Sequence, residues 1–165
     1  MASSSSTALA QWQHIEALVQ AWLEERRQLI VLLCQVQGID HTPSREEPDP
    51  PVHQRIQDLC QVLMDYLSAG YFEVYNALVR AARHYGSGPP QWAEQLIQRL
   101  DASTEEALAF NEDYDSPTHC MTRLTELPER VARLMVALEE RFALEDQLIV
   151  SLYQEPALAA RAEQR

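Results

Sequence analysis

The sequence predicts an all-α protein: an antiparallel four-helix bundle with short additional helical segments. Three observations predict it. Leu, Ala, Glu, Gln and Arg dominate a chain of 165 residues that holds four glycines, and those five are strong helix formers. Apolar residues recur at spacings of three and four over long stretches, which is the period of a buried helix face. Proline and glycine gather into short clusters between those stretches, where they break helices. The length suits one domain with a sizeable core. The expected organisation is a flexible tail over 1–7, one helix-bundle domain over 8–155 and a frayed C-terminal tail over 156–165.

The first helix is expected from about Ala8 to Gln37. Trp12, Ile15, Val19, Trp22, Arg26, Leu29, Leu33 and Val36 follow one another at alternating steps of three and four, the pattern of a bundle seam. Gly38 stands where a left-handed cap residue belongs. Arg26 is the misfit, a charge inside an apolar stripe. It either snorkels, with its stem in the core and its head in water, or meets a buried partner.

His41 to Pro51 reads as a loop, because Pro43, Pro48, Pro50 and Pro51 forbid a continuous helix. A central helix follows from about Val52 to Tyr85. Ile56, Leu59, Leu63, Tyr66 and Gly70 form its stripe, widened by Cys60, Leu67, Tyr71, Val74 and Leu78. Asp58, Asp65 and Ala69 fall on another face. Ser68-Ala69-Gly70 puts three small residues mid-helix. An interior glycine costs about 1 kcal/mol against alanine. With no proline or polar cluster after it, the expected role is a packing notch that lets another helix approach.

Gly86 to Pro90 is a sharp break. A third helix is expected over about 91–111, with Trp92, Leu96, Leu100, Ala107 and Phe110 inward and a polar interruption at Asp101 to Thr104. Asp115-Ser116-Pro117 has the form of a helix cap with proline at the first position. Pro128 then forces a short turn and a restart. The last long helix is expected to reach Gln154 and to stop at Pro156. Its seam is Val131, Leu134, Leu138, Arg141, Glu145, Leu148 and Leu152. Arg141 and Glu145 are again charges in a stripe. Together with Arg26 they form a candidate structural polar network, in which Arg26 and Glu145 meet inside the bundle with Arg141 alongside, or each snorkels separately.

The formal charge is −12, and every fixed cation is an arginine. That balance argues against wrapping nucleic acid, which needs cationic patches. It suits a basic partner, whose field would speed encounter. The three cysteines, Cys34, Cys60 and Cys120, are widely spaced and lack a CxxC pair, which fits a reducing compartment. Cys34 and Cys60 lie in apolar helical patterns and read as small core residues. No apolar run approaches the ~20 residues needed to span a bilayer. The first ten residues lack a basic region and a long apolar core, so they do not read as a secretory signal; the expected location is the cytoplasm.

Catalytic and metal chemistry find no motif. A carboxylate-bridged metal pair in a bundle needs Glu-x-x-His on two helices, and no Glu here has a His three residues later. His14, His41, His53, His84 and His119 are scattered. There is no GxSxG, P-loop or GxGxxG pattern. The expectation is a non-enzyme with no cofactor and no metal. The competing readings are a ligand- or metal-binding bundle and an acidic adaptor for some other basic protein.

Four segments carry a family resemblance. They are Trp22-Leu23 with Arg26, Leu29 and Gly38-Ile39; Asp65-Tyr66-Leu67-Ser68-Ala69-Gly70 with Phe72 and Tyr75; Phe110-Asn111 with Asp113-Tyr114-Asp115; and Leu138-Glu139, Arg141-Phe142 and Leu144-Glu145-Asp146. In this order, over about residues 20 to 150, they resemble the Rsd/AlgQ family of bacterial anti-sigma factors. Leu33 and Cys34 stand where some relatives carry aromatic residues. The resemblance implies binding of the primary sigma factor of RNA polymerase, chiefly its C-terminal region 4. It also implies withholding that factor from core polymerase and promoter DNA, and in some bacteria contact with the phosphocarrier HPr. Region 4 carries a basic helix-turn-helix, a physical match for an acidic chain. Within the family-like stretch, Phe72 is the expected apolar anchor and Asp65 the acceptor for a partner arginine, the alternative being that Phe72 packs on the chain's own last long helix and Asp65 stays solvated. Ser68 and Ala69 flank them, and Glu112, Asp113 and Asp115 are the next partner-binding candidates.

Overall fold

A computed structural model describes residues 2–37, 51–85 and 91–163. The chain is an all-α helical bundle with no strand among the described residues. Helix α1 spans Ala2–Gln37 and α2 spans Val52–Ala69. A π-helical turn, Gly70–Val74, leads directly into α3, Tyr75–Tyr85. Then come α4 (Gln91–Arg99), α5 (Asp101–Tyr114), α6 (Pro117–Thr122), a 3-10 turn (Leu124–Glu126) and α7 (Leu127–Glu163). No described helix is long and apolar enough to cross a membrane.

The chain divides into two compact units. The first takes Met1–Leu23, Ser68–Asp101 and Arg141–Arg165; the second takes Glu24–Leu67 and Ala102–Glu140. The core of the first includes Ile15, Val19, Trp22, Val74, Tyr75, Leu78, Leu96, Leu100, Leu144 and Leu148. That of the second includes Leu29, Leu33, Ile56, Leu59, Leu63, Tyr66, Ala107, Phe110, Tyr114, Val131, Leu134 and Leu138. The apolar seams read from the sequence are therefore buried along α1, α2 and α7, as burial of period-3.6 stripes requires. Cys60 is buried as expected, Cys34 is half-buried, and Cys120 joins the core as well.

Helix limits moved where local chemistry is permissive. α1 starts at Ala2 rather than near Ala8, since no glycine or proline stands in the serine-rich segment to stop it. The break in the third helix falls at Leu100, whose N–H reaches Ile97 O at 3.1 Å, and α5 continues to Tyr114. The cap at Ser116 is as expected: its hydroxyl accepts from His119 N–H at 3.1 Å with Pro117 at the first helical position. The restart begins at Leu127, with Pro128 inside the first turn. α7 runs past Pro156 to Glu163, because Ala157, Leu158, Ala159 and Ala160 after it are the best helix formers available. The Gly38 cap, the loop through Pro50, the Gly86–Pro90 break and the side chains of Trp92 and Leu152 lie outside the described residues.

Candidate functional site

In the first unit, Gly70, the first residue of the π turn, forms a notch. A Cβ built on Gly70 would lie 3.0 Å from Trp22 Cζ2, 3.2 Å from Trp22 Nε1 and 3.2 Å from the Tyr75 hydroxyl. The approach is close: a methyl group there would require the Trp22 ring or the Tyr75 hydroxyl to give by a few tenths of an ångström. The Trp22 ring meets Tyr75 edge-on, with centroids 5.7 Å apart.

Behind that contact lies a buried polar cluster. The Tyr75 hydroxyl donates to Glu145 Oε2 at 2.5 Å and accepts from Arg141 Nη2 at 3.2 Å. Arg141 Nε stands 3.4 Å from Glu145 Oε2, and Arg141 Nη1 donates to the Leu100 carbonyl at 3.3 Å. Arg141 and Glu145 are only 2% and 1% exposed. Burial pushes the Tyr75 phenol well above its ordinary range, and the neighbouring Glu145 charge adds to it. The hydroxyl therefore stays protonated and serves as a fixed donor. Arg141 and Glu145, singled out as charges in a seam, are buried and reach one another. Tyr75, which the sequence marks only through the family resemblance, stands between them.

Above the notch the surface is aromatic. Ser68 is exposed, Ala69 half-buried, and Phe72 is 68% exposed. Tyr71, expected on the inward stripe, is instead 60% exposed and meets Phe72 edge-to-face at 5.1 Å. Tyr71 is the second residue of the π turn. Glu73 beside them is exposed too.

In the second unit, Asp65 is exposed and takes the Gln61 amide at 3.1 Å. Arg26 is half-buried and donates from Nε to the Tyr66 hydroxyl at 3.0 Å, so it has a partner rather than only water. The acidic segment splits in role. Asp113 is bound within the fold, to Arg130 Nη1 at 2.5 Å and to Arg123 Nη2 at 3.6 Å. The Arg130 hydrogen bond holds its carboxyl below the ordinary value. Glu112 and Asp115 are exposed, and Asp115 lies 2.7 Å from His119 Nδ1. Under this segment the Cys60 and Cys120 thiols both donate to the Tyr114 carbonyl, at 3.8 and 3.3 Å. Burial pushes the Cys60 thiol up to about 12, with Cys120 adding, and raises Cys120 as well. Such thiols are unreactive core groups.

Among the described residues no group of three or more His, Cys, Asp or Glu is placed to hold a metal ion. An open groove of about 270 Å³ in the second unit is lined by Val36, Gln37, Leu127, Pro128 and Val131, none of them titratable. What the surface does offer is exposed aromatic rings and exposed carboxylates, which are the materials of a protein contact.

Comparison with known proteins agrees in kind. Residues 1–153 match the family described as "Regulator of RNA polymerase sigma(70) subunit, Rsd/AlgQ". The chain is 30% identical over 132 residues to the "Regulator of sigma D" of Yersinia pseudotuberculosis serotype O:1b, covering 80% of this chain and 77% of that protein. It is equally similar to the Yersinia enterocolitica protein of that name, at 30% over 132 residues, covering 80% and 78%. The Pectobacterium atrosepticum protein of that name is 29% identical over 137 residues, covering 83% and 88%. No solved structure matches. A family match over nearly the whole chain, with relatives covered over most of their length, places this chain in the Rsd/AlgQ family of regulators of the RNA polymerase sigma-70 subunit.

Proposed function

We propose that this chain acts in the cytoplasm as an anti-sigma factor. It binds the primary sigma factor, chiefly through that factor's region 4, and keeps it from core RNA polymerase and promoter DNA. The observation that carries this reading is the family match over residues 1–153. Charge supports it: a chain of net charge −12 draws a basic helix-turn-helix, and the encounter is steered by opposite fields. The function needs no cofactor and no catalytic group. Ser68, Ala69 and Phe72 of the first unit contribute to the contact, Phe72 as the apolar anchor. Asp65, Glu112 and Asp115 of the second contribute carboxylates for partner arginines, while Asp113 contributes through the segment it pins to Arg130.

Calorimetric titration of the chain with isolated region 4, at low and high salt, tests this. Saturable binding that weakens with salt is expected, because exposed charges are screened within a Debye length of roughly 10 Å at 0.1 M. Asp65→Arg should weaken it by roughly 2–5 kcal/mol if the carboxylate is desolvated against a cation. The same change should leave the stability of the free chain within about 0.5 kcal/mol. Absence of binding at either salt would sink the reading. HPr titrated in parallel reports whether a second partner shares the surface.

A further inference from the structure

Gly70–Val74 is a single π-helical turn inside an otherwise α-helical run. The N–H of Tyr75 donates to the Gly70 carbonyl, five residues back, where an α-helix bonds four back. The turn therefore holds one residue more than an α-helical turn. Its neighbours Ala69 (φ −62°, ψ −44°) and Tyr75 (φ −62°, ψ −42°) are ordinary helical backbone. The helix thus enters and leaves the turn without a break. One surplus residue rotates everything after it by about 100° relative to an uninterrupted α-helix.

The turn carries three exposed residues, Tyr71, Phe72 and Glu73, bounded by buried Gly70 on one side and buried Val74 and Tyr75 on the other. Two large rings are turned to solvent at adjacent positions and are packed against each other. The base of the turn is fixed. Trp22 and the Tyr75 hydroxyl fill the space beside Gly70, and Glu145 and Arg141 hold that hydroxyl from behind. A flexible bulge would not present a surface; this one is anchored by a notch and a buried polar cluster.

We infer that the surplus residue exists to present Tyr71 beside Phe72 as a two-ring platform, and that Tyr71 is a binding residue for a cationic segment of the partner. The inference rests on the anti-sigma reading above and adds to it a residue and the means by which it is presented. Arginine guanidinium planes stack on aromatic faces. Glu73, exposed next to the rings, supplies a carboxylate for the same cation, and the net charge of −12 favours a basic occupant.

Deleting Tyr71 is the test. Removing one residue turns the π turn into an α turn and returns the downstream sequence to its own packing. The deletion should keep the circular dichroism of a full helical chain, with a melting temperature no lower than that of the unchanged chain. Its affinity for region 4 should fall by about 30-fold or more, the loss typical of a removed hot spot. Tyr71→Ser, an exposed substitution that keeps the turn, should weaken binding by about tenfold with stability unmoved. A folded deletion variant and a Tyr71→Ser variant that both bind as the unchanged chain does would overturn the inference and leave the anti-sigma reading standing. A deletion that unfolds would overturn the claim that the residue is surplus to packing. Failure of the unchanged chain to bind region 4 would overturn the anti-sigma reading itself.

Discussion

Two clusters in this chain are built from an arginine, a carboxylate and a tyrosine, and they sit at different depths. In the first unit, Arg141, Glu145 and Tyr75 are all buried, and the tyrosine hydroxyl is the hub that bonds to both charges. In the second unit, Arg130 and Asp113 keep 14% and 25% of their side-chain surface in water. There the tyrosine, Tyr114, offers its ring face to Arg130 at 5.8 Å and spends its hydroxyl on the Arg123 carbonyl at 3.0 Å. The difference follows from solvation. A buried charge is tolerated only when extra donors and acceptors replace its water, so the deep cluster recruits a hydroxyl and a helix-end carbonyl. A rim pair keeps part of its hydration and needs only its counterion.

The largest expected effect is at the deep cluster. Arg141→Ala should destabilise by about 3–5 kcal/mol, because it removes the arginine facing a buried carboxylate. Denaturant melts read this, and pairing Arg141→Met with Glu145→Leu should recover much of the loss. A single-variant cost near that of an exposed ion pair would put the two clusters in the same class. Gly70→Ala comes next, at about 1–3 kcal/mol, because the added methyl must displace the Trp22 ring or the Tyr75 hydroxyl. A neutral or stabilised Gly70→Ala melt would mean that the notch yields and the helix propensity of alanine wins.

The rim pair should cost least. Arg130→Ala is expected to lose about 1 kcal/mol. The pH dependence sharpens the contrast. Asp113 is depressed in the folded chain by Arg130, so its contribution is full above its unfolded value and is lost as pH falls through the folded one. The stability gap between the unchanged chain and Asp113→Asn should therefore be widest at neutral pH. It should close on acidification below the ordinary carboxyl value of 3.8. A gap that persists unchanged in acid would mean that the carboxylate charge is not what stabilises the segment.

Much of this architecture was legible in the sequence. The seams of α1, α2 and α7 announced themselves because a half-buried helix must repeat its apolar face. Ser116-Pro117 announced a cap because both residues have one dominant use there. Arg26, Arg141 and Glu145 stood out as charges in apolar stripes. The π turn did not, since shifting one hydrogen bond from the fourth to the fifth residue leaves no compositional mark. The polar role of Tyr75 escaped because its hydroxyl finds partners 66 and 70 residues away. The pairing of Asp113 is hidden in the sequence because Arg130, its counterion, lies 17 residues on. Exposure of a charge depends on tertiary neighbours that a local pattern does not contain.

The proposal that this chain withholds a sigma factor is tested most directly by competition. Labelled primary sigma factor is mixed with core RNA polymerase, and the fraction in holoenzyme is measured as the chain is added. Holoenzyme is expected to fall in a saturable, salt-sensitive way, and the Tyr71 deletion to have little effect at the same concentrations. Holoenzyme unchanged at every concentration, by a chain whose helical content is intact, would contradict the proposal.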